Sequence, residues 1–394
     1  MKISIIIPSF NNLKHLKNVY LSIQKHEPEA EVILLDDGST DGTWEWIQEQ
    51  NCIKFRSEER VGHTILYDKG IEMATNDIVG ILHADMIVGP NYSKNLLKHL
   101  KPGKVICATR IEPPLHPEGK EKILMDFGQD FDTLNVPEFE TYCEDLQLEF
   151  EDETTKGMFA PWILYKKDFQ VIGGHDPLFA PFPYEDSDIF QRWILAGYEL
   201  VQSRDAFVYH LTCRGHRWNE QVGKDDEYYK HVSKKAARNY LRKWGSWIAN
   251  DEFQYPIIRP KYNIAYVLKN STLPLVELLE PWCDRLYIDD NVQVITTHYV
   301  EREQLNTQFD LSKRILVLNH NDPWGENDIL VEIDGKLLTS ESFSILQQLP
   351  QIIQDSGEEG TFELDIFKVT INSMADYKYN LITIKDPNYL YKKE

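Results

Sequence analysis

The sequence contains no apolar run approaching the ~20 residues that a membrane-crossing helix needs. Its five cysteines, Cys52, Cys107, Cys143, Cys213 and Cys283, are scattered and form no Cys-x-x-Cys pair. A disulfide framework and a zinc–thiolate site are therefore not expected, and a reducing compartment is. Basic blocks are missing too. Lys and Arg number 42 against 63 Asp and Glu, for a net charge of -21. Neutralising a nucleic-acid backbone takes clustered cations, so nucleic acid is excluded as a general partner. A nucleotide needs only a few local donors and stays open. No Gly-x-Gly-x-x-Gly follows a predicted strand, which removes a dinucleotide-dependent dehydrogenase. The apolar stretch before Pro8 is too short for a signal peptide. A soluble, cytoplasmic protein with no transmembrane segment is the expectation.

What is present points to a folded, two-domain chain. The length of 394 residues exceeds one ordinary core, and 42% hydrophobic content is that of a globular protein. Residues 1–110 alternate short apolar runs with helical patterns. Strands are expected at Ile3–Ile7, Glu31–Leu35, Ile53–Arg56, Ile78–Leu82 and Val105–Thr109. Helices are expected at Leu13–Gln24, Thr43–Gln50, Ile65–Ala74 and Tyr92–Leu100. Continuous apolar strands alternating with helices predict an α/β fold, a mostly parallel sheet covered on both faces. Ligands bind such sheets beyond the carboxyl ends of the strands. Ser9–Asn12, Asp36–Ser39 and His83–Asp85 lie at those ends. They should converge, although far apart in sequence.

Residues 110–156 differ, with Pro113-Pro114, Pro117 and Pro137 followed by an acidic run. This reads as a solvated surface insertion, with a lid or acceptor-binding segment as the functional alternative. Order resumes with a strand at Trp162–Tyr165, a helix at Lys167–Ile172, a helix opened by Tyr184–Asp188, and strands at Glu199–Ser203 and Phe207–His210. A helix over Asp225–Trp244 has a basic face, which reads as a solvated helix face, with contact with an anionic lipid surface as the alternative. The first domain is expected to span 1–250, with a linker at 251–260 around Pro256 and Pro260. A smaller α/β domain of unassigned role follows at 261–394, including strands at Phe362–Ile371 and Tyr379–Ile384 and a helix over Glu341–Gln354. Asp289-Asp290, His320 and Asp322 are its isolated polar candidates, and no spacing lifts them above solvated loops.

Four clusters carry chemistry: Pro8-Ser9-Phe10-Asn11-Asn12; Asp36 to Gly42; His83-Ala84-Asp85; and Glu185-Asp186-Ser187-Asp188, followed by Val208-Tyr209-His210. With Gly70-Ile71, Gly173-Gly174-His175-Asp176 and Ala196-Gly197-Tyr198, and in this order, they make the chain resemble the second family of glycosyltransferases, of GT-A fold. The resemblance covers about residues 1–245. It implies a nucleoside-diphosphate-sugar donor (a uridine nucleotide foremost), a glycan or glycoconjugate acceptor and a divalent metal.

The residues can be read in those terms. Phe10 can stack on the base, and backbone around Pro8 and Ser9 can reach the ribose. The resemblance implies that Asp37 accepts from the base N–H and adds Ser39, His83 and Ala84 to the donor site. The family's Asp-x-Asp is here His83-Ala84-Asp85, which keeps the acid used on the metal and replaces the one used on the ribose. His210 stands where a second metal ligand is expected. An Asp/His set puts manganese ahead of magnesium. Asp186 takes the general-base role, with Glu185 and Asp188 holding the acceptor or the geometry. A single-displacement, inverting mechanism is implied.

Two departures matter. Leu66-Tyr67-Asp68 replaces the family's Ala-Arg-Asn, so a donor-side cation is missing; Arg60, Lys69 and Arg214 are the substitutes available. Gln191-Arg192-Trp193 lacks the Gln-x-x-Arg-Trp spacing of processive synthases, so transfer of one sugar is expected. The alternative reading, favoured by His83, is a nucleotide-sugar- or glycan-binding module that keeps the fold without catalysis.

Overall fold

The protein is described by a computed structural model covering residues 2–212, 218–219, 224–225, 227–318, 323 and 326–383. It divides into two compact units. The first comprises residues 1–233, 249–257 and 382–394, and the second residues 234–248 and 258–381.

The first unit runs β1 (Ile3–Ser9), α1 (Leu13–His26), β2 (Glu31–Asp36), α2 (Thr43–Glu49), β3 (Ile53–Arg56), α3 (His63–Met73), β4 (Ile78–Ile81), β5 (Met86–Val88), α4 (Tyr92–His99) and β6 (Lys104–Glu112). It continues through β7 (Lys122–Leu124), α5 (Val136–Glu149), β8 (Thr154–Thr155), β9 (Trp162–Tyr165), α6 (Lys166–Val171), α7 (Glu185–Leu195) and β10 (Glu199–His210). The main path of the sheet is β3-β2-β1-β4-β9-β6-β10-β5. Strands β3, β2, β1 and β4 pair in parallel. Strand β9 is antiparallel to both β4 and β6, so β6 and its parallel neighbour β10 run the same way as β1. The carboxyl ends of β1, β2, β4, β6 and β10 thus share one edge. Ser9, Asp36, Glu112 and His210 end four of these strands, and Leu82 follows the fifth.

The core explains why these strands form. In β1, Ile3, Ile5 and Ile7 enter one cluster with Leu16, Val19 and Ile23 of α1, while Ile6 enters another with Leu66 and Ile71 of α3. Burial on both faces is what a continuous isoleucine run provides. The α/β class and mostly parallel sheet expected from the sequence are observed.

Residues 110–156 are not a solvated insertion. Helix α5 buries Phe139, Cys143 and Leu146 in the same cluster as β1 and β10. Its apolar stripe is narrow, and the acids between those positions obscured it. The expected strands 199–203 and 207–210 are one strand, whose pairing with β6 is interrupted between Gln202 and Phe207.

Two short strands, β11 (Trp218–Asn219) and β12 (Lys224–Asp225), precede α8 (Glu227–Trp244), within which the division between units falls. The second unit then runs β13 (Ile264–Lys269), α9 (Leu273–Leu279), β14 (Arg285–Ile288), α10 (Gln293–Gln304), α11 (Leu311–Arg314), β15 (Ile315–Val317), β16 (Ile329–Asp334), α12 (Ser340–Ser356), β17 (Gly360–Leu364) and β18 (Phe367–Ile371). Its sheet order is β15-β14-β13-β16-β18-β17, parallel as far as β16. The single strand expected at 362–371 is a hairpin turned at Asp365, whose φ is 55°. Residues 378–381 form a short 3-10 turn in place of the expected strand, and Ile384 lies outside the described residues. Two cations of α8 that belong to the second unit are engaged within it. Arg242 is buried 2.7 Å from Glu280, and Arg238 pairs with Glu303 at 2.7 Å. No helix among the described residues is long and apolar enough to cross a membrane.

Candidate active site

A pocket of about 440 Å³ opens at the carboxyl edge of the first unit's sheet. It gathers Pro8, Ser9 and Phe10 from the end of β1, Asp37 after β2, His83, Ala84 and Asp85 after β4, Glu185 and Asp186 at the start of α7, and His210 at the end of β10. Of the residues expected at the site from the sequence, Ser39 and Asp188 do not line it.

Their contacts say why. Ser39 braces the turn after β2: its N–H donates to Asp36 Oδ1 at 3.2 Å and its Oγ accepts from the Asn11 N–H at 2.9 Å. Asp188 is fully buried and accepts from Arg192 Nε at 2.7 Å. The same guanidinium donates to the carbonyls of Ile172 and Gly174. Asp188 thereby ties α7 to the Gly173-Gly174 turn. Gly174 has φ +73°, and a Cβ there would lie 2.2 Å from Asp68 Oδ2. That close approach lets Asp68 bind His175 through Nδ1 at 2.6 Å.

On one side of the pocket Asp37 is nearly buried, and burial pushes its pKa up to about 6 against the opposing bonds from Val61 and Gly62. Its Oδ1 accepts from the Val61 N–H at 2.7 Å and its Oδ2 from the Gly62 N–H at 3.0 Å. The Arg60 guanidinium lies 4.0 Å from the Phe10 ring centroid. Of the substitutes for the missing donor-side cation, Arg60 lines the pocket; Lys69 pairs with Glu72 at 2.9 Å and does not. Arg214, like Cys213, His320 and Asp322, lies outside the described residues.

At the centre, ligand atoms of His83, Asp85 and His210 all lie within 4.8 Å of one another. His210 Nε2 is 3.7 Å from Asp85 Oδ1. Its Nδ1 is 2.9 Å from Glu112 Oε1. Glu112 is buried and also pairs with Arg110 at 2.8 Å and Lys122 at 3.1 Å. Burial pushes its carboxyl up, but the His210 hydrogen bond and then the Arg110 charge outweigh that and hold it at about 2. An ionised Glu112 accepts a hydrogen bond from Nδ1–H of His210, which leaves Nε2 of the neutral ring with the lone pair.

On the far side stand Glu185 and Asp186. Glu185 Oε1 lies 2.6 Å from His63 Nε2. Burial pushes Glu185 up, and the His63 charge and hydrogen bond bring it below the ordinary range. The Asp186 carboxylate makes no hydrogen bond to a described residue. Burial first, and then the adjacent Glu185 charge, raise it to about 7. The two adjacent carboxylates are thus pushed apart in pKa.

His63, Arg110, Glu112, Glu121, Lys122 and Phe159 also line the pocket and were not foreseen. Arg110 and Glu112 alternate at the end of a buried strand, the signal that exposed the other clusters. Glu121 and Lys122 lie in the supposed insertion, and His63 opens α3 with no motif of its own.

Residues 4–166 match the sequence profile of glycosyl transferase family 2. That stretch of the chain is similar to glycosyl transferase family 2. The matched stretch holds Pro8, Asp37 and Asp85 and ends before Asp186 and His210. A dolichol-phosphate mannosyltransferase of Pyrococcus furiosus is 27% identical over 115 residues, 27% of this chain and 32% of that one. An uncharacterized glycosyltransferase, YfnE of Bacillus subtilis, is 33% identical over 108 residues, 26% of each chain. The match thus spans about a third or less of these curated relatives. Among solved structures, the mannosyltransferase PcManGT of Pyrobaculum calidifontis, in complex with GDP-Man and Mn2+, is 15% identical with a TM-score of 0.42, over 64% of this chain and 66% of that one.

Proposed function

We propose that the protein is a metal-assisted, inverting, non-processive glycosyltransferase, moving a sugar from a nucleoside-diphosphate donor to a hydroxyl of a glycan or glycoconjugate. One observation carries this reading. A single pocket holds Asp186, a carboxylate with no hydrogen bond to a described residue, and a trio with metal-ligand spacing, His83, Asp85 and His210.

The trio fits a divalent cation on its own chemistry. Two imidazoles and a carboxylate suit manganese at least as well as magnesium, and Glu112 already fixes the His210 tautomer that ligation requires. Asp85 and His210 would hold the ion, with His83 in its shell or on the ribose. When bound, the ion neutralises charge on the departing diphosphate.

The remaining work falls to the chain. Phe10 offers a stacking face, and Pro8 and Ser9 present backbone to the ribose. Asp37 retains lone pairs for the base N–H beyond those that Val61 and Gly62 use. Arg60 supplies the cation that Tyr67 does not. Asp186 takes the proton of the acceptor hydroxyl as its oxygen attacks the anomeric carbon. The bond to the diphosphate oxygen breaks, and the nucleoside diphosphate leaves. One displacement inverts the anomeric centre. Arg192 and Trp193, both fully buried, serve packing and support single-sugar transfer.

A uridine donor is the first to test. The assay is release of nucleoside diphosphate from UDP- and GDP-sugars with and without Mn2+, for the full chain and for Asp186→Ala. Metal-dependent release lost in the variant supports the reading. Nucleotide binding without turnover of any donor would favour a binding module.

A further inference from the structure

The segment Arg60-Val61-Gly62-His63 touches both sides of the pocket. Toward the donor side, the Asp37 carboxylate holds the N–H groups of Val61 and Gly62, and Arg60 covers Phe10. Toward the acid pair, His63 Nε2 lies 2.6 Å from Glu185 Oε1. The segment has little freedom between these anchors. Gly62 has φ +92°, and a Cβ there would lie 2.2 Å from Pro181 Cα. Thr64 Oγ1, one residue past His63, donates to the Pro181 carbonyl at 3.0 Å. The His63 ring stacks on Phe182, with centroids 5.3 Å apart and planes 18° from parallel. Among the described residues His63 is the hydrogen-bonding partner of the Glu185 carboxylate, whose other oxygen is buried with none.

We infer that His63 is the positioning residue of the acid pair: it anchors Glu185 and so leaves the adjacent Asp186 as the carboxylate that meets the acceptor. Three consequences follow from the geometry. Glu185, tied to His63, cannot swing toward the acceptor and compete for its proton. Two neighbouring carboxylates at one helix start repel, so fixing one sets where the other points. The anchor is also one residue from the backbone that Asp37 holds, so disturbance on the donor side reaches Glu185 through a single peptide unit. The sequence gives His63 no motif, and its role follows from the 2.6 Å contact alone.

This inference rests on the transferase reading and predicts a split between chemistry and binding. The full chain, His63→Ala and His63→Gln are compared with Mn2+ and whichever of UDP-glucose, UDP-galactose, UDP-N-acetylglucosamine or GDP-mannose the wild type turns over fastest. UDP binding is titrated in parallel, and thermal melting checks folding. In His63→Ala, kcat should fall by about 10²-fold, the scale of a displaced proton-transfer group, while UDP affinity stays within about 3-fold. His63→Gln, which can still donate to Glu185, should recover at least about a tenth of wild-type kcat. Equal loss of kcat in both folded variants, or a loss of UDP affinity as large as the loss of kcat, overturns the positioning role. A wild type that binds UDP but turns over none of these donors overturns the transferase reading, and this inference with it.

Discussion

Oε1 of Glu112 sits 2.9 Å from Nδ1 of His210, and Nε2 of the same ring faces Asp85 at 3.7 Å. One carboxylate thus sets the tautomer of a ring whose other nitrogen joins the trio proposed to hold a metal. The His210 hydrogen bond first, and then the charges of Arg110 and Lys122, hold that carboxylate ionised.

Glu112 should therefore matter to metal affinity without touching the ion. Glu112→Ala is expected to weaken Mn2+ binding by about 10- to 100-fold, the usual range for an outer partner of a ligating histidine. Asp85→Ala should abolish binding within the range of the titration. Calorimetry or Mn2+ electron paramagnetic resonance on the full chain measures both. Unchanged affinity in Asp85→Ala would remove the metal site.

Asp186 should set the pH dependence of catalysis. It acts as a base only when ionised, and its pKa stands at about 7. kcat/KM should rise with pH and level off above that value. Asp186→Asn should lower kcat by about 10²- to 10⁴-fold with little change in UDP affinity. Steady-state kinetics across pH, with nucleotide titrations, check this.

The same shift has a cost in stability. Between the ordinary Asp value of 3.8 and about 7, the folded chain holds a proton on Asp186 that the unfolded chain releases. Stability contributed by this group is present at low pH and is lost as pH rises through that window. Asp186→Asn should melt above the wild type at about pH 8, with the advantage gone near about pH 4. Differential scanning calorimetry at both values reads the difference.

Asp188 should behave differently although it is only two positions away. Its carboxylate and Arg192 are both fully buried and 2.7 Å apart. Removing one partner strands a buried charge, so Asp188→Ala should cost about 3–5 kcal/mol of stability. Denaturant unfolding measures it. Any variant that stays folded should keep its UDP affinity.

The sequence and the fold agree most closely where burial is simplest. Ile3–Ile7 reads as a buried strand because both its faces are apolar, and Ile6 and Ile7 do enter opposite cores. Most of the site was legible for a related reason: polar residues that end buried strands have nowhere to go but the sheet's edge. Ser39 and Asp188 were placed at the site because they share short motifs with Asp37 and Asp186. Neighbours in a turn or on a helix face different ways, and these two face inward. The partners of Glu112, which ends a buried strand like the other clusters, and of His63 were illegible for the opposite reason. Each acts through a partner distant in sequence, 98 residues away for Glu112 and 122 for His63. Helix α5 was hidden because Phe139, Cys143 and Leu146 lie among acids, and only contacts distant in sequence, such as Phe139 with Tyr209, make them core.

The most direct test of the account is Mn2+-dependent release of nucleoside diphosphate, followed across the UDP- and GDP-sugars for the full chain and for Asp186→Asn. The account predicts turnover of at least one donor by the wild type, stopped by chelation and restored by Mn2+. It also predicts a loss of about 10²-fold or more in the variant, with UDP binding intact. Turnover that is indifferent to Asp186, or tight UDP binding with no turnover of any donor, would contradict it.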